Sequence, residues 1–221
     1  MSREAQDPAW DAAGFVLAGG QSSRMGTDKA LVRFAGEPLV ARAVRTLREA
    51  GLETRIAGAR SSLEEFAPVV PDRALDEGPL GGICAAMEDL RTSLGVFLPV
   101  DLPLMPASLI ACLVEDARVT GAAVTLVSLN GFAQTFPAVV DRRALPVLKA
   151  ELEAGRGGCF AAFHRAAEEL SQPLVIPSVE RLVQCGRVAH PEGLQPVFWF
   201  WNANTPEDLA RAQSLQHSRR G

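Results

Sequence analysis

The sequence predicts an α/β sandwich with a mostly parallel central sheet and helices on both faces. Short apolar runs alternate with segments whose apolar residues recur at helical spacing, an order typical of parallel sheets. The chain has 221 residues, enough for a single Rossmann-like domain whose core needs no disulfide or metal. Hydrophobic residues make up 48% and charged residues 22%, which excludes wholesale disorder and fibrous repeats.

The first half of the chain predicts three strands and three helices. The strands are expected at residues 14–18, 54–57 and 95–100, and the helices at 39–50, 83–90 and 106–117. Gly51 follows the first helix in the usual C-terminal glycine position, and Pro106 suits the first turn of the third. Residues 1–12 are polar, so we expect a frayed segment followed by one domain at 13–217.

The second half is less regular. It predicts strands at 122–128, 135–140 and 174–176, helices at 143–154 and 160–170, and an aromatic strand at 196–201. Thr205 is a good N-cap for a last helix, with Pro206 in its first turn and Glu207 and Asp208 at the positive end of its dipole. The stretch 129–196 could form a lobe or an oligomer surface.

Composition narrows the function classes. The net charge of −4 argues against a nucleic-acid partner. No apolar run approaches a membrane span, and the N-terminus lacks a signal peptide, so we expect a cytoplasmic protein without membrane contact. The four cysteines lack Cys-x-x-Cys spacing and are interpreted as reduced thiols, and the histidines lack zinc-site spacing. Tyrosine is absent, which excludes a catalytic tyrosine.

The strongest chemical signal is the segment LAGGQSSRMGTDKA at residues 17–30. Its glycines expose backbone amides to anions, and Arg24 and Lys29 add positive charge, so the segment is suited to a triphosphate. Lys29 is one of only two lysines in the chain. The alternative is a plain glycine turn with two solvated cations. The spacing matches neither a dinucleotide fingerprint nor a Walker loop, which argues against an oxidoreductase and a P-loop ATPase.

Other polar residues stand at turns or strand ends. Asp101 ends an apolar run between Pro99 and Pro103, where a carboxylate suits Mg²⁺, although a helix-capping aspartate is the alternative. Asp76, Asn202 and Asn204 are candidates that could equally be turn or capping residues. The aromatic run 199–201 fits a core better than a base-stacking platform.

These residues carry a resemblance. Residues 17–40 (LAGGQSSRMGTDKALVRFAGEPLV) resemble the signature of nucleotidyltransferases with the glycosyltransferase-A-like, nucleotide-diphospho-sugar transferase-like fold. Within that group the chain is similar to the molybdenum cofactor guanylyltransferase (MobA) family. Three further segments agree in order: 76–83 (DEGPLGGI), 98–106 (LPVDLPLMP) and 201–209 (WNANTPEDL). The resemblance covers most of residues 13–213.

The resemblance implies a role for each matching residue. Arg24 and Lys29 would hold the β- and γ-phosphates and stabilise the leaving pyrophosphate. Asp101 would be the magnesium ligand, with Asn204 as a second metal contact and Asn202 as its competitor. The remaining nucleotide contacts would come from Leu17, Ala18, Gly19, Gly20, Asp76 and the stretch from Gly78 to Gly82.

Two segments depart from the family pattern. Gln134 stands where relatives carry Gln-Pro near the acceptor site, but threonine follows it here. Gly58-Ala59-Arg60 stands where relatives often have an asparagine that contacts the nucleotide. That contact is therefore expected to be replaced, or the nucleotide selectivity to differ.

The implied reaction is Mg²⁺-dependent transfer of GMP from GTP to the terminal phosphate of molybdopterin or the molybdenum cofactor, with release of pyrophosphate. CTP as the donor, a sugar phosphate as the acceptor and a non-catalytic nucleotide-binding relative remain alternatives. Gly19-Gly20 resembles the guanylyl members of the branch. Molybdoenzyme apoproteins or chaperones are candidate recipients of the product, and we expect a monomer or weak homo-oligomer.

Overall fold

The computed structural model describes residues 11–19, 28–58, 61–70 and 78–217. Its strands are β1 (Ala12–Leu17), β2 (Arg33–Phe34), β3 (Glu37–Pro38), β4 (Glu53–Ala57), β5 (Val69–Val70), β6 (Leu94–Pro99), β7 (Val124–Leu129), β8 (Phe132–Asp141) and β9 (Leu174–Val175). Its α-helices are α1 (Leu39–Glu49), α2 (Gly78–Glu88), α3 (Ala107–Thr120), α4 (Leu145–Glu153), α5 (Cys159–Leu170), α6 (Val179–Gln184), α7 (Pro196–Trp199) and α8 (Pro206–His217).

Seven strands form one sheet in the order β5-β4-β1-β6-β8-β7-β9, and β2 and β3 form a separate small hairpin. All neighbours in the large sheet are parallel except the two pairs that β8 makes with β6 and β7. This confirms the mostly parallel α/β sheet. The chain moves outward from β1 to β4 and β5, then returns to place β6 on the other side of β1. The boundary between β1 and β6 is therefore the topological switch point, where ligands bind in sheets of this kind.

The sheet is buried on both faces. Val16 and Val96 belong to a cluster that includes buried residues of α1, α3 and α8. Phe15 and Phe97 point to the opposite face, where their ring centroids stack 5.5 Å apart. Both belong to a second buried cluster, which includes residues of α2 and α5. Strands buried on both sides are continuously apolar, which explains why the sequence marks them so clearly.

The predicted aromatic strand at 196–201 is wrong, because α7 occupies Pro196–Trp199. Pro196 fits the first turn of a helix, and the Trp199 indole N–H donates to Leu194 O at 2.9 Å. Trp199 and Phe200 are buried, as the core interpretation of these aromatics requires. The last helix begins as predicted: the N–H of Asp208 donates to Thr205 Oγ1 at 3.1 Å.

Other boundaries shift. Ala12 already pairs with Leu94 in the sheet, so the predicted frayed segment is wrong at its last residue, and residues 1–10 lie outside the described ranges. Helix α2 begins at Gly78, five residues earlier than expected. The stretch 129–196 supplies β8, which lies inside the sheet between β6 and β7. It also supplies α4, α5 and the edge strand β9.

The cysteines are free thiols, as expected. Cys84, Cys112 and Cys159 are buried and Cys185 is exposed. Burial raises the pKa of the Cys159 thiol to about 11, so this thiol stays protonated at neutral pH. Within the described part of the chain, no helix combines the length and the apolar character needed to cross a membrane.

Gly14 allows helix α1 to pack closely on β1. A Cβ at this position would lie 3.2 Å from Leu47 Cβ, tighter than most contacts in folded proteins. We predict that Gly14→Ala lowers the free energy of unfolding by about 1–3 kcal/mol, the usual cost of an added methyl group in a packed core. Gly157→Ala is the matched control, since a Cβ there meets nothing within 4 Å. Urea unfolding midpoints of both variants test this, and equal midpoints would contradict the close packing.

Candidate active site

A cavity of about 320 Å³ opens at the carboxyl ends of β1, β4 and β6. Leu17, Ala57 and Pro99 contribute the ends of the three strands, and Gly78 and Gly82 contribute the first turns of α2. The other residues that line it are Gly19, Lys29, Pro79, Val100, Asp101, Leu102, Gln134, Thr135, Phe136, Phe200 and Asn202. The cavity therefore lies at the switch point and combines an apolar floor with a few polar groups, as small-molecule sites do.

Parallel pairing of β1 and β6 places Leu17 beside Pro99. The Val100 N–H continues the ladder and donates to Leu17 O at 3.2 Å. Asp101 follows directly, so its carboxylate reaches the cavity where β6 ends. On the other side of β1, the Ala18 N–H donates to Ala57 O at 3.1 Å. These backbone bonds fix the start of the glycine segment relative to Asp101.

The segment before α8 is bonded to the same strand end. The Ala203 N–H donates to the backbone oxygen of Asp101 at 2.9 Å. Asp208 Oδ2 accepts from the N–H of Asn204 at 3.2 Å and of Thr205 at 2.9 Å. The cap of α8 therefore holds Asn204 beside Asp101, although the two residues are far apart in the sequence.

Lys29 links these two elements. Its ammonium donates to Asp101 Oδ2 at 3.1 Å and to Asn204 Oδ1 at 2.5 Å. A 3-10 turn at Lys29–Leu31 positions the side chain, and Asp28 Oδ1 caps this turn by accepting from the Ala30 N–H. The side chains of Lys29 and Asp101 are 19% and 25% exposed, so the ion pair is accessible from the cavity. A carboxylate oxygen and an amide oxygen thus converge on one cationic group.

The opposite side of the cavity comes from the hairpin between β7 and β8. Thr125 pairs with Val139 and Val127 with Gln134, so residues 135–138 of β8 lie opposite the single residue Leu126. This irregularity brings Gln134, Thr135 and Phe136 to the cavity.

Glu180 fixes the turn of this hairpin. The Asn130 N–H donates to Glu180 Oε1 at 2.6 Å, and the Ser178 hydroxyl donates to Glu180 Oε2 at 2.6 Å. The Ser178 hydroxyl, followed by the Asn130 amide, holds the pKa of the Glu180 carboxyl below its ordinary value. The ionised carboxylate therefore anchors the turn at neutral pH.

The structure brings together most of the candidate residues that it describes. Leu17, Gly19, Lys29, Gly78, Asp101, Asn202 and Gln134 line the cavity, Ala18 is buried beside it, and Asn204 contacts Lys29. Gly20, Arg24 and Asp76 lie outside the described residues. In the segment expected to differ from the family pattern, Gly58 packs against Ala18 and Gly19, and Ala59 and Arg60 are outside the described ranges.

Sequence reasoning assigned no role to the side chains of Thr135 and Phe136 and undervalued that of Phe200. Thr135 and Phe136 are placed by the irregular β8 pairing, which leaves no local signature. For Phe200 a core role was preferred to a base-stacking platform, yet this residue is buried and also lines the cavity. Its position next to Trp201-Asn202 was the available signal.

A cavity at the switch point, with a lysine ammonium facing a carboxylate, is the arrangement of an α/β protein with a small-molecule site at this edge of the sheet. The chain belongs to the MobA-like NTP transferase domain family, whose model matches residues 14–219. It is therefore a nucleotidyltransferase.

Relatives and solved structures agree with this assignment. The molybdenum cofactor guanylyltransferase of Vibrio cholerae is 36% identical over 214 residues, which cover 95% of this chain and 93% of the relative. The Vibrio atlanticus protein of the same name is 32% identical over 210 residues, or 91% and 95% of the two chains. The crystal structure of molybdopterin-guanine dinucleotide biosynthesis protein A from Archaeoglobus fulgidus superposes with a TM-score of 0.73 at 20% identity, covering 93% and 99%, and shows the same fold.

The anchor of the hairpin gives a pH prediction. Because the Glu180 pKa is lower in the folded protein than in the unfolded chain, its contribution to stability is present above the unfolded pKa. It is lost as the pH falls through the folded value. We expect Glu180→Gln to be less stable than wild type at pH 7 and equally stable near pH 2.

The control is Glu153→Gln, an exposed change at the end of α4. It should shift stability by no more than about 0.5 kcal/mol at either pH. Urea unfolding at both pH values measures the differences. If the difference in unfolding free energy between wild type and Glu180→Gln is the same at pH 7 and at pH 2, the ionic anchor is ruled out.

Proposed function

We propose that the protein transfers GMP from GTP to the terminal phosphate of molybdopterin or its molybdenum-loaded form. The observation that carries the proposal is the convergence of Lys29, Asp101 and Asn204 at the carboxyl edge of β6. The chain belongs to a family of NTP transferases, and the relatives that match nearly the whole chain are named for the guanylyl reaction.

The nucleotide is expected along the β1 side of the cavity. Leu17 and Ala57 offer an apolar surface to the base or ribose, and Gly78 and Gly82 have no side chains to obstruct its approach. Ala18, Gly19, Gly20 and Asp76 complete the proposed nucleotide contacts. Arg24 joins Lys29 in binding the β- and γ-phosphates.

A divalent metal suits the oxygens that face Lys29. Asp101 Oδ2 and Asn204 Oδ1 both accept from the Lys29 ammonium, and they are the hard oxygen donors that Mg²⁺ prefers. Among the residues described, no three His, Cys, Asp or Glu side chains gather at one point, so phosphate oxygens and water would supply the other ligands. We propose Asp101 and Asn204 as the protein ligands, with Asn202 as the competing choice. Bound Mg²⁺ would supply Lewis-acid stabilisation of phosphate charge.

The chemistry requires positioning more than proton transfer. An oxygen of the acceptor phosphate forms a bond to the α-phosphorus of GTP, and the bond from that phosphorus to the α–β bridging oxygen breaks. Pyrophosphate leaves with the bonding electrons. The attacking phosphate is already anionic, so the step needs no general base. Lys29 and Arg24 would stabilise the charge that develops on the pyrophosphate.

The acceptor is expected on the β8 side. Gln134 lies on the other side of the cavity from Leu17. Its side-chain NH2 donates to Phe132 O at 3.1 Å, so its carbonyl oxygen can accept a hydrogen bond from an incoming polar ligand. We propose Gln134 as a contact to the acceptor.

The first test is a pyrophosphate-release assay with Mg²⁺ and molybdopterin, comparing GTP, CTP, ATP and UTP. We expect release with GTP alone, its loss on chelation and its return with added Mg²⁺. A CTP preference would keep the chemistry and overturn the guanylyl assignment. Binding of nucleotide without release, with molybdopterin and with sugar phosphates, would indicate a non-catalytic relative.

The second prediction uses the two lysines. Lys29→Ala should lower kcat about 10²- to 10³-fold, the usual effect of removing one group that stabilises developing charge. Lys149→Ala is the matched control, because Lys149 pairs with Glu88 on the α2–α4 side, outside the cavity. It should keep the wild-type rate. Circular dichroism confirms that both variants fold, and a Lys29→Ala rate equal to that of the control would return residues 17–30 to a plain glycine turn.

A further inference from the structure

The tip of the β7–β8 hairpin carries an exposed aromatic side chain. Phe132 is 75% exposed, although it begins a strand of the central sheet. Single exposed apolar residues are ordinary on protein surfaces, so exposure alone assigns no role to Phe132. Its position relative to the cavity is what distinguishes it from the other exposed apolar residues.

Phe132 continues the line of residues that face the cavity. The hairpin pairs regularly at this end, with Leu129 opposite Phe132, Ser128 opposite Ala133 and Val127 opposite Gln134. Side chains two apart in a strand lie on the same face, so Phe132 lies on the face that carries Gln134, about 7 Å further toward the tip. Gln134 lines the cavity and Phe132 stands beyond its rim.

The backbone beneath Phe132 is fixed. Asn130 and Gly131 have φ values of 51° and 81°, so they form a tight hairpin turn, and the Asn130 N–H is bonded to Glu180. The Gln134 side chain donates to Phe132 O at 3.1 Å. An aromatic ring on a fixed backbone can bind a flat ligand without a large loss of conformational entropy.

The size of the cavity favours a position outside it for the ring of the acceptor. A volume of about 320 Å³ is at the lower end for one small-molecule ligand, and the nucleotide is expected to occupy the β1 side. The acceptor phosphate must reach the nucleotide near Asp101, while the rest of the acceptor extends past Gln134. The ring system of a pterin is flat and heterocyclic, which is the kind of surface that stacks on an aromatic side chain.

We propose that Phe132 is a specificity-determining residue that stacks on the heterocyclic ring of the acceptor. This inference rests on the proposed function, because it assumes a pterin acceptor. Phe132 contributes to binding of the acceptor and takes no part in bond making. Its substitution should therefore change the KM for the acceptor. The GTP site and the phosphate-binding residues are separate from it.

The test is steady-state kinetics with molybdopterin and GTP on four variants. Phe132→Ala and Phe132→Leu should each raise the KM for molybdopterin about tenfold, the size of one lost stacking contact. The KM for GTP and kcat should stay within about twofold of wild type. Phe132→Trp should restore the wild-type KM, because it keeps an aromatic face. Phe160→Ala is the matched control, since Phe160 is 40% exposed on α5 and lies outside the cavity.

The outcomes separate the inference from the function beneath it. Wild-type turnover with molybdopterin and an unchanged KM in Phe132→Ala would overturn the stacking role alone. A Phe132→Leu variant equal to wild type would show that apolar bulk is enough, which would also overturn the stacking role. A rise confined to the KM for GTP would mean that the Phe132 ring stacks on the guanine base instead. A wild-type protein that releases no pyrophosphate with molybdopterin would overturn the proposed function, and the inference with it.

Discussion

The parallel pairing of β1 with β6 is the constraint on which the site depends. It brings the end of the strand before the glycine segment next to the end of the strand before Asp101. Without this pairing, the glycine segment and the Asp101 carboxylate would lie apart in the fold. The pairing is stable because both strands are buried on both faces, with the Phe15–Phe97 stack on one side and Val16 and Val96 on the other. The apolar core therefore positions the polar chemistry above it.

The ion pair between Lys29 and Asp101 reflects a balance between stability and function. Both side chains keep some contact with solvent, so water screens part of their attraction. Under the proposed function, the same exposure would let Lys29 exchange Asp101 and Asn204 for the phosphates of a nucleotide. A fully buried pair would be costly to separate, and a fully exposed one would not be preorganised. The observed exposure therefore suits the role that we propose for Lys29, in which it changes partners when the nucleotide binds.

The sequence predicts the parts of this site that have local signatures. The first strand, the Asp101 strand end and the Thr205 cap follow from residues within one turn or one strand. The helix at Pro196–Trp199 was missed because aromatic residues favour strands, while the bond from Trp199 to Leu194 O and burial in the core favour the helix here. The pairing of β8 could not be predicted in detail, since its irregular register is defined only against β7. The residues alone left Asn204 as a turn or capping candidate, and only the family resemblance linked it to Asp101. The backbone bond from Ala203 to Asp101 explains how the fold brings these distant segments together.

The antiparallel direction of β8 explains how the second side of the cavity arises. In a wholly parallel sheet, only the carboxyl ends of strands reach the ligand-binding edge. Strand β8 runs the other way and pairs with β6 only from Ala138 onward, so its first residues extend past the end of β6. The turn from β7 into β8 therefore lies at the binding edge and carries Phe132 and Gln134 opposite the glycine segment. One reversed strand thus supplies a second wall from a different part of the chain. Under the proposed function, changes in this hairpin would alter acceptor binding while the nucleotide side, built on β1 and β6, stays the same.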